Sequence, residues 1–389
     1  HKWGEDCVHH FKGMWSFAVY DNHNAALFCS RDRFGIKPFY YKIDNGCFYF
    51  GSEIKQLSGE SSSPVMNNVI DYIVGGYVDH NESTFFEGIV QLPPSCNLTI
   101  SVALFEANIT QYFSLNDESA LADCDDVKSL LDISINEHLI ADVKVGSCLS
   151  GGLDSSYINY RVSMAQSDSV AIHCNSSDHK FSEKDKAEHV AQSLGISLAV
   201  IEPTIAEFNA DMDKLFYVQE QPFGDPSIYM QYCVMKKASS LGIKVMLDGQ
   251  GADEVFMGYS KYLGIRLWSD FSLFTPHKFC RNFKQSMHNN NLSVIHLLTL
   301  MFGTKYERLK RLGLLLKSKI PLKYWRSFVK RGGGSRSGSA FQFSEIYEYP
   351  LQTLLRNEDR NSMCFSIEAR VPYLDHHLVQ RLYQESTVN

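Results

Sequence analysis

Two short runs in this 389-residue chain combine residue types that handle phosphate and a hard cation. The first, Ser150-Gly-Gly-Leu-Asp-Ser-Ser156, directly follows an apolar stretch ending at Leu149 and opens a helical pattern. Its glycines allow close backbone approach, its serines offer hydroxyl donors, and the free N–H groups of a helix start favour an anion. Asp154 would repel that anion unless a cation bridges the two. Mg²⁺, which takes a carboxylate together with phosphate oxygens, is the ion that fits. No Gly-Lys-Ser/Thr is present, so this is not a Walker A loop, and the Gly-x-Gly-x-x-Gly spacing of a dinucleotide fingerprint is also absent. The second run, Leu247-Asp-Gly-Gln-Gly-Ala-Asp-Glu254, again follows an apolar segment. Asp253 is spaced to give a second carboxylate to the same Mg²⁺. The ordinary alternative for each run is a glycine-rich strand–helix turn with an acidic cap, and the full seven-residue length of the first run argues against it.

These runs need a scaffold that brings them to one edge. From about residue 125 the pattern alternates: a helix over Val127–His138, a strand over Lys144–Leu149 and a helix over Ser155–Met164. A strand over Val170–His173, a helix over Lys184–Leu194, a strand over Leu198–Ile201, two helical stretches and a strand over Lys244–Leu247 follow. Such alternation predicts a parallel sheet covered by helices, with ligands outside the carboxyl ends of its strands. Residues 260–389 read as mostly helical around one loose loop, Gly332–Ser339. Residues 1–60 read differently, as short aromatic strands with turns at Asp21-Asn22, Phe34-Gly35 and Asp44-Asn-Gly46. Asn45-Gly46 between two aromatic runs is a hairpin signal, so an antiparallel layer is expected. Residues 61–124 read as a connecting segment, with a helix near Val69–Val74 and strands at Phe85–Leu92 and Asn97–Ser101.

Bulk composition narrows the classes. Net charge is -7 and charged residues are 21% of the chain, so nothing global points to nucleic acid or a membrane. The densest apolar run, Arg311–Lys317, is far short of the roughly 20 residues a membrane helix needs. The first residues hold no apolar leader core, and no Met begins them, so His1 reads as a cut edge. The ten cysteines include no Cys-x-x-Cys pair, which fits buried thiols in a reducing, cytoplasmic setting. The 14 histidines show no metal spacing. Lys305–Arg331 is strongly basic and reads as a solvated helix face; Glu368 and Arg370 read as a structural ion pair between helices.

Taken together, the motifs resemble a known family, the glutamine-dependent asparagine synthetases. Ser150–Ser156 resembles the PP-loop of ATP pyrophosphatases, and Ala141–Leu149 before it resembles the asparagine synthetase version. Asp248–Tyr259 resembles the family's second loop, Phe181–Ala187 its acidic stretch, and Ser362–Asp375 its late signature. Trp3–Val8, Gly13–Ala18, Arg31–Pro38 and Ser52–Lys55 resemble the end of a class II glutaminase domain, so the likeness covers nearly the whole chain.

The resemblance implies an α/β fold: an Ntn-type antiparallel glutaminase end over 1–60, the connecting segment, and a PP-loop, adenine nucleotide hydrolase-like synthetase domain over 125–389. It implies that ATP activates aspartate as an aspartyl-adenylate with release of pyrophosphate, and that ammonia, drawn from glutamine, displaces AMP. Leu149, Ser150, Gly151, Gly152, Asp154, Ser155, Ser156, Asp248 and Gly249 would hold the nucleotide, Asp154 and Asp253 the Mg²⁺, and Asp154, Asp253 and Gln250 would carry the chemistry. Partners would be small molecules, with a homodimer as one arrangement the sequence allows. The family's terminal nucleophilic cysteine and a downstream lysine find no counterpart here, and Cys7 is not in the matching motif. Gln250 stands where the family usually has an acid, and Asp248 where it often has Ser. A neutral Gln cannot act as a base. That departure keeps two alternatives open: an amidotransferase acting on another carboxylate, such as a sugar acid, and a non-catalytic nucleotide-binding homologue.

Overall fold

The computed structural model describes residues 2–59, 62–101, 106–117, 126–166, 168–178, 180–271, 276–290, 292–318, 320–321 and 338–388. The chain opens with β1 (Ser16–Asp21), β2 (Ala26–Arg31), β3 (Tyr40–Asp44) and β4 (Cys47–Gly51), followed by helix α1 (Met66–Gly75). Then come β5 (Val90–Gln91), β6 (Cys96–Ser101) and β7 (Glu106–Gln111). These strands form two sheets, β1-β2-β6-β7 and β4-β3-β5, antiparallel throughout. Asn45 and Gly46 both take positive φ, 49° and 71°, which is what a two-residue hairpin turn requires of them. Cys29, Phe39, Leu92, Leu98 and Ile100 form the core of this layer. Residues 85–92 do not make the single strand expected of them. Gly88, at φ 79°, turns the chain so that Ile89 N–H donates back to the Phe86 carbonyl at 3.2 Å, and only β5 remains extended. β5, β6 and β7, from the stretch read as a connecting segment, complete both sheets.

The second half runs α2 (Val127–His138), β8 (Val145–Cys148), α3 (Leu153–Ala165), β9 (Val170–Cys174), α4 (Lys184–Leu194), β10 (Ser197–Ile201), α5 (Ile205–Gln219) and α6 (Ser227–Ser240). β11 (Val245–Leu247), α7 (Ala252–Phe256), α8 (Ser260–Asp270), α9 (Pro276–Asn290) and α10 (Val294–Lys317) follow. α11 (Gly338–Tyr347), α12 (Leu351–Met363), β12 (Glu368–Arg370) and α13 (His376–Val388) close the chain. The sheet is parallel, in the order β10-β9-β8-β11-β12. Side chains alternate across it. Val145, Val245 and Leu247 pack with Ile158 and Leu131 on one face, and Met246, Ile172 and Ala369 pack with Val234 and Met235 on the other.

The order matters for function. From β8 the chain winds outward through β9 to β10, then returns to lay β11 on the other side of β8. The strand order therefore reverses between β8 and β11, and a crevice opens at their carboxyl ends.

Two expectations are corrected. Residues 368–370 form a strand, not helix, because they pair with β11: Glu368 N–H donates to the Lys244 carbonyl and Asp248 N–H to the Arg370 carbonyl, both at 2.9 Å. Glu368 and Arg370 do pair, at 2.6 Å, but along one strand face two residues apart and not between helices. In the stretch Gly332–Ser339, residues 332–337 lie outside the described residues and α11 already begins at Gly338. Of the basic segment 305–331, residues 305–317 belong to α10, and 322–331 lie outside the described residues. No helix among the described residues is long and apolar enough to cross a membrane.

Candidate active site

The PP-loop run turns directly off the end of β8. Leu149 is buried and continues the sheet by one bond, its N–H donating to the Ile172 carbonyl at 3.0 Å. The serines then shape the loop. Ser155 Oγ accepts the Ser150 N–H at 3.1 Å and sits 2.9 Å from Ser150 Oγ, which accepts the Gly152 N–H at 3.2 Å. Ser156 N–H donates to the Gly152 carbonyl at 3.0 Å, starting α3. No side chain caps α3 at Gly152, so its first N–H groups stay available. Gly151 is fixed by geometry: its φ is 82°, and a Cβ there would meet Lys186 Cβ at 2.7 Å and Ala187 N at 2.9 Å.

The second loop comes off β11, the neighbour of β8, and meets the first. A Cβ on Gly249 would lie 3.6 Å from Asp154 Cβ and 3.7 Å from Ser155 N. Asp248 Oδ1 accepts the Gly249 N–H at 2.6 Å. Gly258, whose N–H donates to the Asp253 carbonyl at 2.8 Å, leaves room for the Asp253 carboxylate where a side chain would strike it. Asp154 and Asp253 are thus close enough to repel. Burial raises the Asp154 carboxyl above its ordinary range, and the Asp253 charge raises it further. Burial also raises Asp253, against a downward pull from Lys261.

The late signature braces both loops. Tyr373 Oη donates to the Asp154 carbonyl at 3.0 Å. Leu374 packs on Gly251, which takes φ 88° and has no room for a Cβ. The cleft beside the loops, about 270 Å³, is lined by Leu149, Ser150, Ile172, His173, Asp248 and Gln250 among others. Its walls are mixed: Ile228, Met230 and Val234 offer an apolar surface to a flat ring, and no Lys or Arg lines it among the described residues. The structure therefore brings Leu149, Ser150, Gly151, Gly152, Asp154, Ser155 and Ser156 together with Asp248, Gly249, Gln250 and Asp253.

Sequence reasoning missed several cleft residues. His173 donates its Nδ1 proton to the Leu149 carbonyl at 2.7 Å, leaving a buried Nε2 on the cleft side. Asn357 comes from α12, and Gln231 from α6. These residues are scattered over the sequence, and no local spacing announces them.

The donor set fits Mg²⁺ held with phosphate. Among the described residues no group of three His, Cys, Asp or Glu gathers as a closed metal cage. What exists is a pair of carboxylates that repel one another, with Lys261 acting on Asp253, beside hydroxyl and N–H donors. That is the arrangement of an ion which takes one or two carboxylates and completes its shell with phosphate oxygens and water.

Comparison with known proteins agrees with this geometry. The profile of the asparagine synthase family matches residues 126–384, and that of the glutamine amidotransferase domain matches residues 1–113. The chain belongs to the asparagine synthase family. Relatives include a putative glutamine-hydrolysing asparagine synthetase of Mycobacterium tuberculosis, 30% identical over 67% of this chain and 42% of its own length. A second from Methanocaldococcus jannaschii is 32% identical over 67% of this chain and 52% of its own. The glutamine-hydrolysing asparagine synthetase 1 of Bacillus subtilis is 27% identical over 95% of this chain and 61% of its own. The chain thus spans about half the length of the curated relatives it matches. Among solved structures, the ammonia-dependent NAD synthetase of Campylobacter jejuni covers 56% of this chain and is itself 94% covered, at 14% identity and a TM-score of 0.26. So loose a superposition carries no functional argument.

Proposed function

We propose that this chain is the ATP-using part, with the end of the glutaminase part, of an enzyme that amidates aspartate to asparagine through an aspartyl-adenylate. Residues 125–389 form the ATP-using unit and residues 1–60 the end of the glutaminase unit, the nitrogen coming from glutamine in the whole protein. The observation that carries the reading is the meeting of the two loops at the β8/β11 reversal, with Asp154 and Asp253 sharing one repulsive site next to an uncapped helix start.

A carboxylate is a poor electrophile, and adenylation gives it a leaving group. The loop's task is to hold pyrophosphate as charge builds on it. Ser150, Ser155 and Ser156 hydroxyls and the N–H of Gly151 bind and orient the phosphates. Leu149 and Gly249 bound the nucleotide, and Asp154 and Asp253 would hold Mg²⁺, which would supply charge neutralisation for the phosphates and the leaving pyrophosphate. The apolar wall of the cleft takes the base and excludes water. The enzyme is expected in the cytoplasm and free of membrane or nucleic-acid partners.

A second reading has its own observation. Gln250 lines the cleft as a neutral side chain, and among the described residues no Lys or Arg lines it to take a free α-carboxylate. A different carboxylate, such as a sugar acid, would then be the acceptor. Pyrophosphate release by the full-length protein with Mg-ATP and ammonia, with and without aspartate, separates the two. The first reading expects release that needs aspartate and is abolished by Asp154→Ala. ATP binding without any response to aspartate removes aspartate as substrate and leaves the adenylating site intact.

A further inference from the structure

One edge of a buried imidazole in the cleft has no partner in the protein. His173, near the end of β9, is 4% exposed and lines the cleft beside the loops. β9 holds Leu149 by both of its backbone groups: the Leu149 N–H donates to the Ile172 carbonyl at 3.0 Å, and the Leu149 carbonyl accepts from His173 Nδ1 at 2.7 Å. A carbonyl only accepts, so the ring proton sits on Nδ1, and Nε2 of the neutral imidazole is left as an acceptor. Nε2 is buried, and no donor among the described residues reaches it. The same cleft holds a second atom of this kind. Asn357, on α12, is 5% exposed, and its Oδ1 is buried without a donor among the described residues. Buried acceptors are rarely left unpaired, because an acceptor stripped of water and given nothing in return is costly. Two of them in one cleft point to donors that arrive with the ligand.

The type of atom decides which half of the ligand these acceptors face. Phosphate oxygens accept hydrogen bonds, so a phosphate set against Nε2 would put two acceptors together. The phosphates also have donors of their own in the loop that begins at Ser150. The nucleoside half does carry donors: the exocyclic amine of the base and the hydroxyls of the ribose. Ile172, Ile228, Met230 and Val234 line the cleft with His173 and give that half an apolar wall. The histidine is also tied to the phosphate loop. Through the Leu149 carbonyl it is fixed against the residue that leads directly into Ser150, so acceptor and loop are held at one spacing.

We propose that His173 reads the nucleoside half of ATP, its Nε2 accepting one hydrogen bond from an N–H or O–H of the base or ribose. This rests on the ATP-using reading above. The two nitrogens of the ring then have separate tasks. Nδ1 positions the loop through Leu149, and Nε2 selects the nucleotide by a donor it must bring. A nucleotide without that donor leaves Nε2 buried and unpaired, and the site rejects it for that reason.

Calorimetric binding of Mg-ATP to the full-length protein, with no acceptor substrate present, tests this against three analogues as triphosphates. Purine riboside lacks the exocyclic amine, and 2′-deoxyadenosine and 3′-deoxyadenosine each lack one ribose hydroxyl. One of them should bind about 10- to 100-fold more weakly than ATP, the scale of a buried acceptor left unpaired, and which one it is names the donor. His173→Asn keeps an N–H near the place of Nδ1 but has nothing in the place of Nε2, so in this variant that analogue and ATP should bind within about threefold of each other. His173→Gln puts an amide oxygen near the place of Nε2 and should keep part of the discrimination. A wild type that binds ATP and all three analogues alike overturns the proposal, whether or not the variants fold. So does a His173→Asn protein that weakens every nucleotide by the same factor, which would leave His173 a loop-positioning residue with water on Nε2. An effect of His173→Asn on the acceptor's KM alone, with nucleotide binding untouched, overturns it too, by giving Nε2 to the acceptor's amine. One check needs no variant: the ¹⁵N signal of an unprotonated Nε2 should move when Mg-ATP binds and stay in place with the rejected analogue, and a signal that does not respond to ATP overturns the hydrogen bond. Mg-ATP that fails to bind at all removes the ATP-using reading and this proposal with it, whereas binding without discrimination removes the proposal alone.

Discussion

Gly151→Ala is the sharpest perturbation of the phosphate loop, because two independent costs can be worked out for it. The backbone at 151 sits at φ 82°, where an L side chain costs roughly 1–2 kcal/mol. The added Cβ would lie 2.7 Å from Lys186 Cβ and 2.9 Å from Ala187 N, and the second of these is backbone at the start of α4, which cannot rotate away. Overpacking of that kind costs roughly 1–3 kcal/mol. The two together give about 2–5 kcal/mol, or a fall in thermal midpoint of roughly 4–20 °C for a unit of this size. If the loop relaxes to lower that cost, it does so by moving away from α4, which displaces the N–H groups meant for phosphate. Mg-ATP affinity should then fall at least about tenfold. The assay is calorimetric melting with and without Mg-ATP. Gly303→Ala serves as control, since nothing lies within 4 Å of a Cβ there and α10 should gain about 0.5–1 kcal/mol. A Gly151→Ala protein with the wild-type midpoint and wild-type Mg-ATP affinity refutes the argument that this glycine is imposed by the packing of α4 on the loop.

Four further outcomes follow from the same structure. Asp253→Asn should leave the unligated melting midpoint at or above that of wild type, because it relieves repulsion of Asp154, while the Mg²⁺-dependent stabilisation by ATP disappears; melts with and without ligand decide it. Arg360→Ala removes a buried partner of Glu220 at 2.9 Å and a donor to the Ser52 carbonyl at 2.8 Å, so it should cost about 3–5 kcal/mol in denaturant unfolding. His376 is pushed down to about 3, by burial first and then by the Arg33, His377 and Lys12 charges. A base with a depressed folded value contributes stability above its unfolded value, near 6.5, and loses it as pH falls toward 3. His376→Gln should therefore flatten the acid-side melting curve over that window. Glu358 has the opposite sign: its raised value makes its contribution full below the ordinary carboxylate range and lost as pH rises, so Glu358→Gln should gain on wild type toward alkaline pH, and equal slopes there would contradict the burial argument.

The readable parts of this chain were those where function is written in local spacing. Ser150–Ser156 after an apolar run fixed a strand–loop–helix, and the β8–α3 junction has that form, because glycine and serine are the types that tolerate φ 82° and satisfy their own loop. Asn45-Gly46 was equally local, since a two-residue turn selects its residues by backbone angle alone. The parallel alternation from 145 to 247 was legible because short, mainly apolar stretches recur between longer helical patterns.

What the sequence hid is long-range. β12 spells Glu-Ala-Arg, with no strand pattern, and is extended only because β11 offers it an edge. The same holds more strongly for α12. Arg356, Asn357, Glu358, Asp359, Arg360 and Asn361 are all buried, a polarity that in isolation reads as a solvated helix. Four of the six find their reason in a distant segment: Arg356 in Asp79 at 2.7 Å, Asp359 in Lys37 at 3.0 Å, Arg360 in Glu220 at 2.9 Å, Asn361 in Gln219 at 2.8 Å. Glu220 in turn accepts the N–H groups of Ile54 at 3.1 Å and Lys55 at 2.7 Å, so the helix ties the N-terminal sheets to the parallel sheet through charge as well as through the apolar cluster in which Phe34 and Ile36 meet Leu351 and Leu355. Buried ion pairs are a poor source of net stability compared with apolar packing, but they tolerate little displacement once formed. A polar spine of this kind therefore adds to the apolar contact a register between the two layers that tolerates little displacement. In α12 the composition alone reads as a solvent-facing helix, and three-dimensional pairing is what shows it to be buried.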